Sequence, residues 1–164
     1  MVDPQSAYDV LLAVHVVAGT AGLVLGPVAM VLPKRRGLHP RVGIAYQVVL
    51  ATLVLSAVGL AALDLADLWG LAMIAVLTEA AALSGWWAAR RQFSGWLAWH
   101  VRLMCGSYVS LVTALLVVNW DSPLAWLLPT VIGSPLIAWA SARATAGTAG
   151  SSPERIGAGL PVSS

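Results

Sequence analysis

Five long stretches of the chain are almost entirely apolar, and short polar segments separate them. A helix needs about 20 predominantly apolar residues to cross the roughly 30 Å of a bilayer's hydrocarbon core. The five stretches cover about residues 8–33, 42–63, 68–89, 100–120 and 122–142. The pattern predicts an all-α integral membrane bundle of five transmembrane helices, which forms a single domain over residues 1–142.

The composition also indicates a membrane protein. The 164 residues are 59% hydrophobic and 10% charged, whereas soluble domains carry roughly 25% charged residues. The N-terminal MVDPQSAYD lacks the basic segment and the cleavage site of a signal peptide, so we expect the first hydrophobic segment to stay. Residues 143–164 are rich in Gly, Ala, Ser, Thr and Pro without apolar periodicity, which predicts a disordered cytoplasmic tail.

The residue types present exclude several classes of protein. The one cysteine, Cys105, excludes an intramolecular disulfide and any Cys-based zinc or iron–sulfur site, and no metal site is predicted. The sequence has no low-complexity basic run, so a nucleic-acid partner is not predicted. The predicted partners are the lipid bilayer and its anionic headgroups.

The basic residues predict the orientation of the bundle, because Lys and Arg near the ends of spans mark the cytoplasmic side. All nine fall on one side: Lys34, Arg35, Arg36, Arg41, Arg90, Arg91, Arg102, Arg143 and Arg155. Acids occupy the opposite ends: Asp3, Asp9, Asp64, Asp67 and Asp121. With five spans, the N-terminus is then outside and the C-terminus inside.

The first span carries a stripe of small residues that includes a histidine. His15, Gly19, Gly22 and Gly26 are four, three and four residues apart, which places them on one face of a helix. Glycines let a neighbouring helix approach closely, so the stripe predicts helix packing. Room for a flat cofactor such as haem is the alternative. In both cases the stripe faces protein, and His15 needs a partner.

Glu79, the only acid in the interior of a span, is the predicted partner of His15. At 1.5 Å per helical residue, the two differ in depth by only about 5 Å. A carboxylate in mid-bilayer is costly, so Glu79 has to be paired, protonated or in contact with water. His15 and Glu79 form a candidate intramembrane polar site, which is either functional or a structural pair.

A second candidate site lies at the cytoplasmic boundary, where two histidines precede or open helices that run outward. Helix N-termini and arginines favour anions, and lipid phosphate is abundant at that depth. Tyrosines follow the histidines by seven and eight residues, on similar helix faces. The candidate residues are His39, Arg41, Tyr46, His100, Arg102 and Tyr108, with Arg36 beside them. The alternative is that these residues only anchor the protein to headgroups.

Three segments carry a combined motif: H-x3-G in the first span, L-H-x3-G-x2-Y after the basic loop, and H-x3-M-x2-S-Y at the start of the fourth span. The matching residues are His15, Gly19, Leu38, His39, Gly43, Tyr46, His100, Met104, Ser107 and Tyr108. Over residues 8–119 the chain resembles an uncharacterised family of small bacterial multi-pass membrane proteins, classed as a domain of unknown function. The resemblance implies a multi-pass fold in the bacterial plasma (inner) membrane and supplies no established activity.

Four functional interpretations remain open. The first is a binding, assembly or accessory role built on the two candidate sites. The second is a small b-type haem redox protein, in which His39 and His100 alone share a depth, although a Pro-flanked loop is predicted to hold His39. The third is a proton-coupled transporter subunit using His15 and Glu79, which would require a homo-oligomer. The fourth, a membrane enzyme acting on anionic headgroups, has no nucleophile motif, so an enzymatic role is not favoured.

The predicted orientation can be tested with topology reporters. Green fluorescent protein fused to the C-terminus should fluoresce, because it matures in the cytoplasm. Alkaline phosphatase inserted at residues 64–67 should be active, because it needs the oxidising compartment outside the plasma membrane. With the two reporters exchanged, both signals should be lost; an active phosphatase at the C-terminus would contradict the orientation.

Overall fold

The structure, a computed structural model, describes residues 3–34 and 37–149, which form five α-helices. They are α1 (Pro4–Val31), α2 (Leu38–Leu63), α3 (Leu65–Arg91), α4 (Trp96–Asn119) and α5 (Pro123–Ala149). Each helix is long and apolar enough to cross a membrane, with 24–27 residues in its candidate span and a mean hydropathy of 1.4–2.1. The predicted all-α fold with five membrane-length helices is confirmed.

Four helices begin three or four residues before the predicted spans, and for α2 and α4 this places both candidate histidines inside helices. α2 begins at Leu38 rather than near residue 42, so His39 is in its first turn. Pro40 is tolerated there because the first N–H groups of a helix have no partner within the helix. α4 begins at Trp96, one turn before His100. The prediction that a Pro-flanked loop holds His39 is therefore wrong.

The turn between α3 and α4 is short because two of its residues adopt left-handed backbone conformations. Gln92 ends α3 with φ 48°, and Gly95 precedes α4 with φ 80°. Glycine adopts positive φ without the steric cost of a Cβ. The short connection folds α4 back against α3 and places the start of α4 beside the end of α3.

The last helix is longer than predicted. α5 continues to Ala149, past the predicted end of the fifth span at residue 142. Residues 143–149 were expected in the disordered tail; they are helical, and their alanines and arginine have high helix propensity. The rest of the predicted tail lies outside the described residues, as do residues 1 and 2 and the arginines at 35 and 36.

The first four helices form a ring, and α5 packs on its outside. α2 contacts α1 and α3, while α4 contacts α3 and α1; in the described residues neither diagonal pair has backbone contact. α5 packs against α4 alone. α2 is the most enclosed helix, with 39% of its apolar stretch buried against 11–17% for the others. Because lipid provides no hydrophobic force between helices, close packing has to hold this ring together.

A small apolar core fills the centre of the ring. Its buried members come from all four ring helices: Ala18, Tyr46, Leu50, Leu53, Ala82 and Leu111. Half of them lie on α2, at spacings of four and three residues, so they share one helix face. The core therefore forms around α2.

The glycine stripe of α1 faces this core, where it permits close helix contacts. A Cβ at Gly19 would lie 3.5 Å from a leucine of α2, and a Cβ at Gly22 would lie 3.2 Å from a leucine of α4. A Cβ at Gly26 would overlap the ring of Tyr108 on α4. Gly26 is therefore required for the packing of α4 on α1.

Arginines stack on tryptophans at the basic end, which we define as the last turns of α1, α3 and α5 with the first turns of α2 and α4. The pairs are Arg90 over Trp86 and Arg143 over Trp139, each 4.7 Å from the ring centre, and Arg91 over Trp87 at 5.6 Å. Tryptophan prefers the membrane–water interface, and an exposed cation–π contact contributes about 0.5–1 kcal/mol. These arginines are thus held at the rim.

The packing at Gly26 gives a test of the fold. Gly26→Ala should lower the thermal unfolding midpoint of the detergent-purified protein, because the overpacked Tyr108 ring has to move, at a cost of about 1–3 kcal/mol. The matched control is Gly70→Ala, since nothing lies within 4 Å of a Cβ at that position of α3. Equal midpoints for the two variants would contradict the α1–α4 packing.

Candidate functional site

His39 of α2 and His100 of α4 meet at the basic end of the ring. Their ring centres are 6.4 Å apart and their ring planes are nearly perpendicular, at 83°. Both side chains are half-buried. Because α2 and α4 are diagonally opposite without backbone contact, the two imidazoles span the interior of the ring.

A main-chain carbonyl holds each imidazole through Nδ1. His39 Nδ1 lies 3.0 Å from the Ala29 oxygen of α1, and His100 Nδ1 lies 2.9 Å from the Gly85 oxygen of α3. A carbonyl oxygen only accepts, so Nδ1 carries the proton in both rings and donates it. In a neutral imidazole Nε2 is then unprotonated and presents a lone pair. Two imidazoles that can each bind a metal ion through an Nε2 lone pair therefore lie close together at the basic end.

The partner of His39 is a carbonyl that the helix itself leaves open. Ala29 is in the last turn of α1, and Pro33, four residues on, has no N–H to donate to it. Lys34 Nζ also donates to the Ala29 oxygen at 2.9 Å, and to the Met30 oxygen at 2.6 Å. The end of α1 thus obtains its donors from two polar side chains.

The partner of His100 is accessible because Gly85 has no side chain. A Cβ there would lie 3.1 Å from both Leu103 and Met104, closer than most such contacts. α4 therefore approaches α3 closely at this point. That approach brings the His100 ring within hydrogen-bond distance of the Gly85 carbonyl.

Lys34, just beyond the end of α1, is a cation that acts on the histidine pair. It interacts electrostatically with His39 of the pair and with Cys105 of α4. Partial burial of its ammonium group lowers the pKa of Lys34. Sequence reasoning used Lys34 only for orientation and did not assign it to the site.

Tyr108 lies deeper in the ring and donates to a second open carbonyl. Pro27, inside α1, has no N–H for the Leu23 oxygen four residues before it. The Tyr108 hydroxyl donates to that oxygen at 3.3 Å. Gly26 makes room for the Tyr108 ring, so the adjacent residues Gly26 and Pro27 provide the space for the ring and leave its acceptor at Leu23 open.

Tyr46 links the two diagonal helices below the histidine pair. Its side chain is buried, and its hydroxyl lies 3.3 Å from the Ser107 hydroxyl of α4. Since Ser107 donates its own proton to the Met104 carbonyl, Tyr46 is the donor in the contact. Both tyrosines of the predicted site thus lie in the ring interior, whereas the side chains of Arg41 and Arg102 are exposed. Arg36 lies outside the described residues.

The predicted pair of His15 and Glu79 is not formed in the described part of the chain, where α1 and α3 have no backbone contact and each of the two side chains has another partner. His15 Nδ1 instead lies 3.2 Å from Ser56 Oγ on α2. Ser56 donates its proton to the Leu53 carbonyl, so the ring N–H of His15 donates to Ser56. A similar depth in the membrane did not make the two residues neighbours.

Glu79 of α3 contacts Gln47 of α2. Gln47 Nε2 donates to Glu79 Oε1 at 2.5 Å. The remaining oxygens, Glu79 Oε2 and Gln47 Oε1, are buried and have no hydrogen-bond partner. Sequence reasoning missed Gln47, although an amide inside an apolar span is a recognisable signal for an interhelical hydrogen bond.

The histidine pair does not complete a metal site made of protein ligands alone. The described residues contain no group of three or more His, Cys, Asp or Glu side chains placed to hold a metal ion. Comparison of the chain with protein-family models, curated proteins and solved structures found no match. Its function therefore has to be inferred from the geometry of these residues.

The Leu23 carbonyl, which has no helical donor because of Pro27, leads to a further prediction. Tyr108→Phe should destabilise the protein by about 1 kcal/mol, because the Leu23 carbonyl loses its donor. In a Pro27→Ala background the same change should cost less, because the alanine N–H can donate to Leu23. Unfolding midpoints of the four proteins measure this coupling, and purely additive effects would contradict it.

Proposed function

We propose that the protein binds one haem b between His39 and His100 and carries electrons in the membrane. The carrying observation is the geometry of the two imidazoles. Their ring centres are 6.4 Å apart, and a carbonyl fixes the proton of each on Nδ1. Haem binding is one of the four interpretations that the sequence leaves open. The objection that a loop holds His39 no longer applies, because His39 is in the first turn of α2.

The spacing of the rings fits two ligands on opposite sides of one metal ion. A metal–nitrogen bond to histidine is about 2.0–2.1 Å, and a ring nitrogen lies about 1.1 Å from the ring centre. Ring centres on opposite sides of a metal are then about 6.3 Å apart, whereas a tetrahedral arrangement gives about 5.2 Å. The observed distance of 6.4 Å favours the opposed arrangement.

The number of ligands supports the same choice. A structural zinc ion takes four protein ligands, and the described residues offer no third ligand beside the pair. A haem iron receives four nitrogens from its porphyrin and takes only axial ligands from the protein. Histidines that bind metal usually donate their other ring N–H to a carbonyl or a carboxylate, as both of these do.

The surroundings of the pair suit a flat anionic cofactor. α2 and α4 are separated across the ring, and nothing lies within 4 Å of a Cβ built at Gly43, one turn after His39. The propionates of haem b are anionic. Lys34, Arg41 and Arg102 lie at this end of the bundle and could hold them by charge-assisted hydrogen bonds.

His39 and His100 would hold the haem, and a haem held by two histidines would supply electron transfer rather than substrate chemistry. The chain would supply both ligands, and the Ala29 and Gly85 carbonyls orient their rings. In the predicted orientation the haem lies on the cytoplasmic side.

The resemblance to the family of unknown function is part of this proposal. The motif residues His39, Gly43 and Tyr46 of α2 and His100 of α4 come from two separate segments and lie at or below the histidine pair. Ser107 and Tyr108 extend the same group into the ring. A shared cofactor site would account for such a combined motif.

The test is the absorption spectrum of detergent-purified protein after expression with ample haem, followed by titration with hemin. We expect a Soret band of six-coordinate low-spin haem at one haem per chain. His39→Ala and His100→Ala should each reduce the band at least tenfold, and His15→Ala, whose partner is Ser56, should retain it.

The competing explanation is a structural edge-to-face contact, which aromatic rings make at about 4.5–7 Å between centres. In that case the wild-type protein would show no Soret band and would not take up hemin. Retention of the band in the double variant of His39 and His100 would equally overturn the assignment. Size-exclusion profiles of all variants establish that they are folded.

A further inference from the structure

The contact between Glu79 and Gln47 lacks a hydrogen-bond donor for two of its oxygens. An ionised carboxylate only accepts hydrogen bonds, and so does an amide oxygen. Gln47 Nε2 supplies one donor to Glu79 Oε1, which leaves Glu79 Oε2 and Gln47 Oε1 buried without a donor. Two unsatisfied acceptors at one contact between two membrane-length helices raise the free energy of the folded protein.

A single proton on Glu79 satisfies both atoms. A carboxyl group and a primary amide are both planar and carry two polar atoms side by side. When the amide N–H donates to one carboxyl oxygen, an O–H on the other oxygen can donate back to the amide oxygen. The two side chains then form a closed ring of two hydrogen bonds, and every polar atom in it has a partner.

We propose that Glu79 is a proton-binding site, a neutral carboxylic acid that shares its hydrogen bonds with Gln47. Glu79 lies near the middle of α3, where an ionised carboxylate in a membrane is energetically costly. A neutral acid avoids that cost. The ligand of the site is the proton itself, and the inference does not rest on haem binding.

The other ionisable groups around Glu79 do not supply a counter-charge. α3 packs against α2 and α4. The ionisable groups of these helices are His39, Arg41, Tyr46, His100, Arg102, Cys105 and Tyr108. Of these, Tyr46 interacts with Glu79 electrostatically, and its hydroxyl is bonded to Ser107. No ion pair involves Glu79 in the part of the chain that the structure describes.

The experiment is infrared spectroscopy of haem-free protein in lipid vesicles at neutral pH, with ¹³C-labelled glutamate. The chain has two glutamates, Glu79 and Glu154. We expect a carbonyl band of a protonated carboxylic acid that moves on ¹³C labelling and moves again in heavy water. Glu79→Gln should abolish the band, and the matched control Glu154→Gln should leave it intact.

A second variant tests the role of the amide. In Gln47→Leu the acid should stay protonated, but its carbonyl loses the donated hydrogen bond, so the band should move to higher frequency. If the labelled wild-type protein shows only carboxylate bands, Glu79 is ionised and the proposal is wrong. An unchanged band in Gln47→Leu would also overturn it, because Gln47 would then not be the partner. The labelled wild-type spectrum decides the protonation state even if a variant fails to fold.

Discussion

Two main-chain carbonyls of α1 that lack a helical N–H partner determine where two side chains of the candidate site lie. An unsatisfied carbonyl in an apolar medium costs several kcal/mol, and both of these oxygens bind a donor from a neighbouring helix. Pro27 leaves the Leu23 oxygen open for Tyr108, and Pro33 leaves the Ala29 oxygen open for His39. The prolines therefore act through the oxygens four residues before them, and in doing so they position an aromatic hydroxyl and an imidazole.

The hydrogen bonds to carbonyls also decide the chemistry of the histidine pair. A ring bonded to water can carry its proton on either nitrogen, but His39 and His100 both have Nδ1 committed to an acceptor. Their Nε2 atoms then present lone pairs without protons. The contact of Glu79 and Gln47 shows the same kind of imbalance, because two of its oxygens are left without a hydrogen-bond donor. At one site a metal centre would resolve the imbalance, and at the other a proton would.

Much of the fold could be predicted from the sequence, because apolar length alone defines membrane-length helices, as the agreement for α3 (Leu65–Arg91) illustrates. The start of α2 at Leu38 could not be placed from the pattern, because proline is typical of loops and yet the first turn of a helix also accepts it, as it accepts Pro40. The pairing of His15 with Glu79 failed for a different reason: depth along two helices is one coordinate, and α1 and α3 are not neighbours in the described residues. The open carbonyls at Leu23 and Ala29 follow from the prolines four residues later, but their donors depend on which helices are adjacent.

Polar contacts at several depths fix the position of α2 relative to its neighbours. His39 bonds to α1 at the basic end, Tyr46 to α4 and Gln47 to α3 near the middle, and Ser56 to α1 at the far end. Lipid tails do not distinguish one packing of apolar helices from another, so van der Waals contact alone specifies register weakly. A shift of one residue would rotate α2 by about 100° and separate these partners. The residues that form the two candidate sites therefore also specify the fold, which ties the chemistry of the bundle to its assembly.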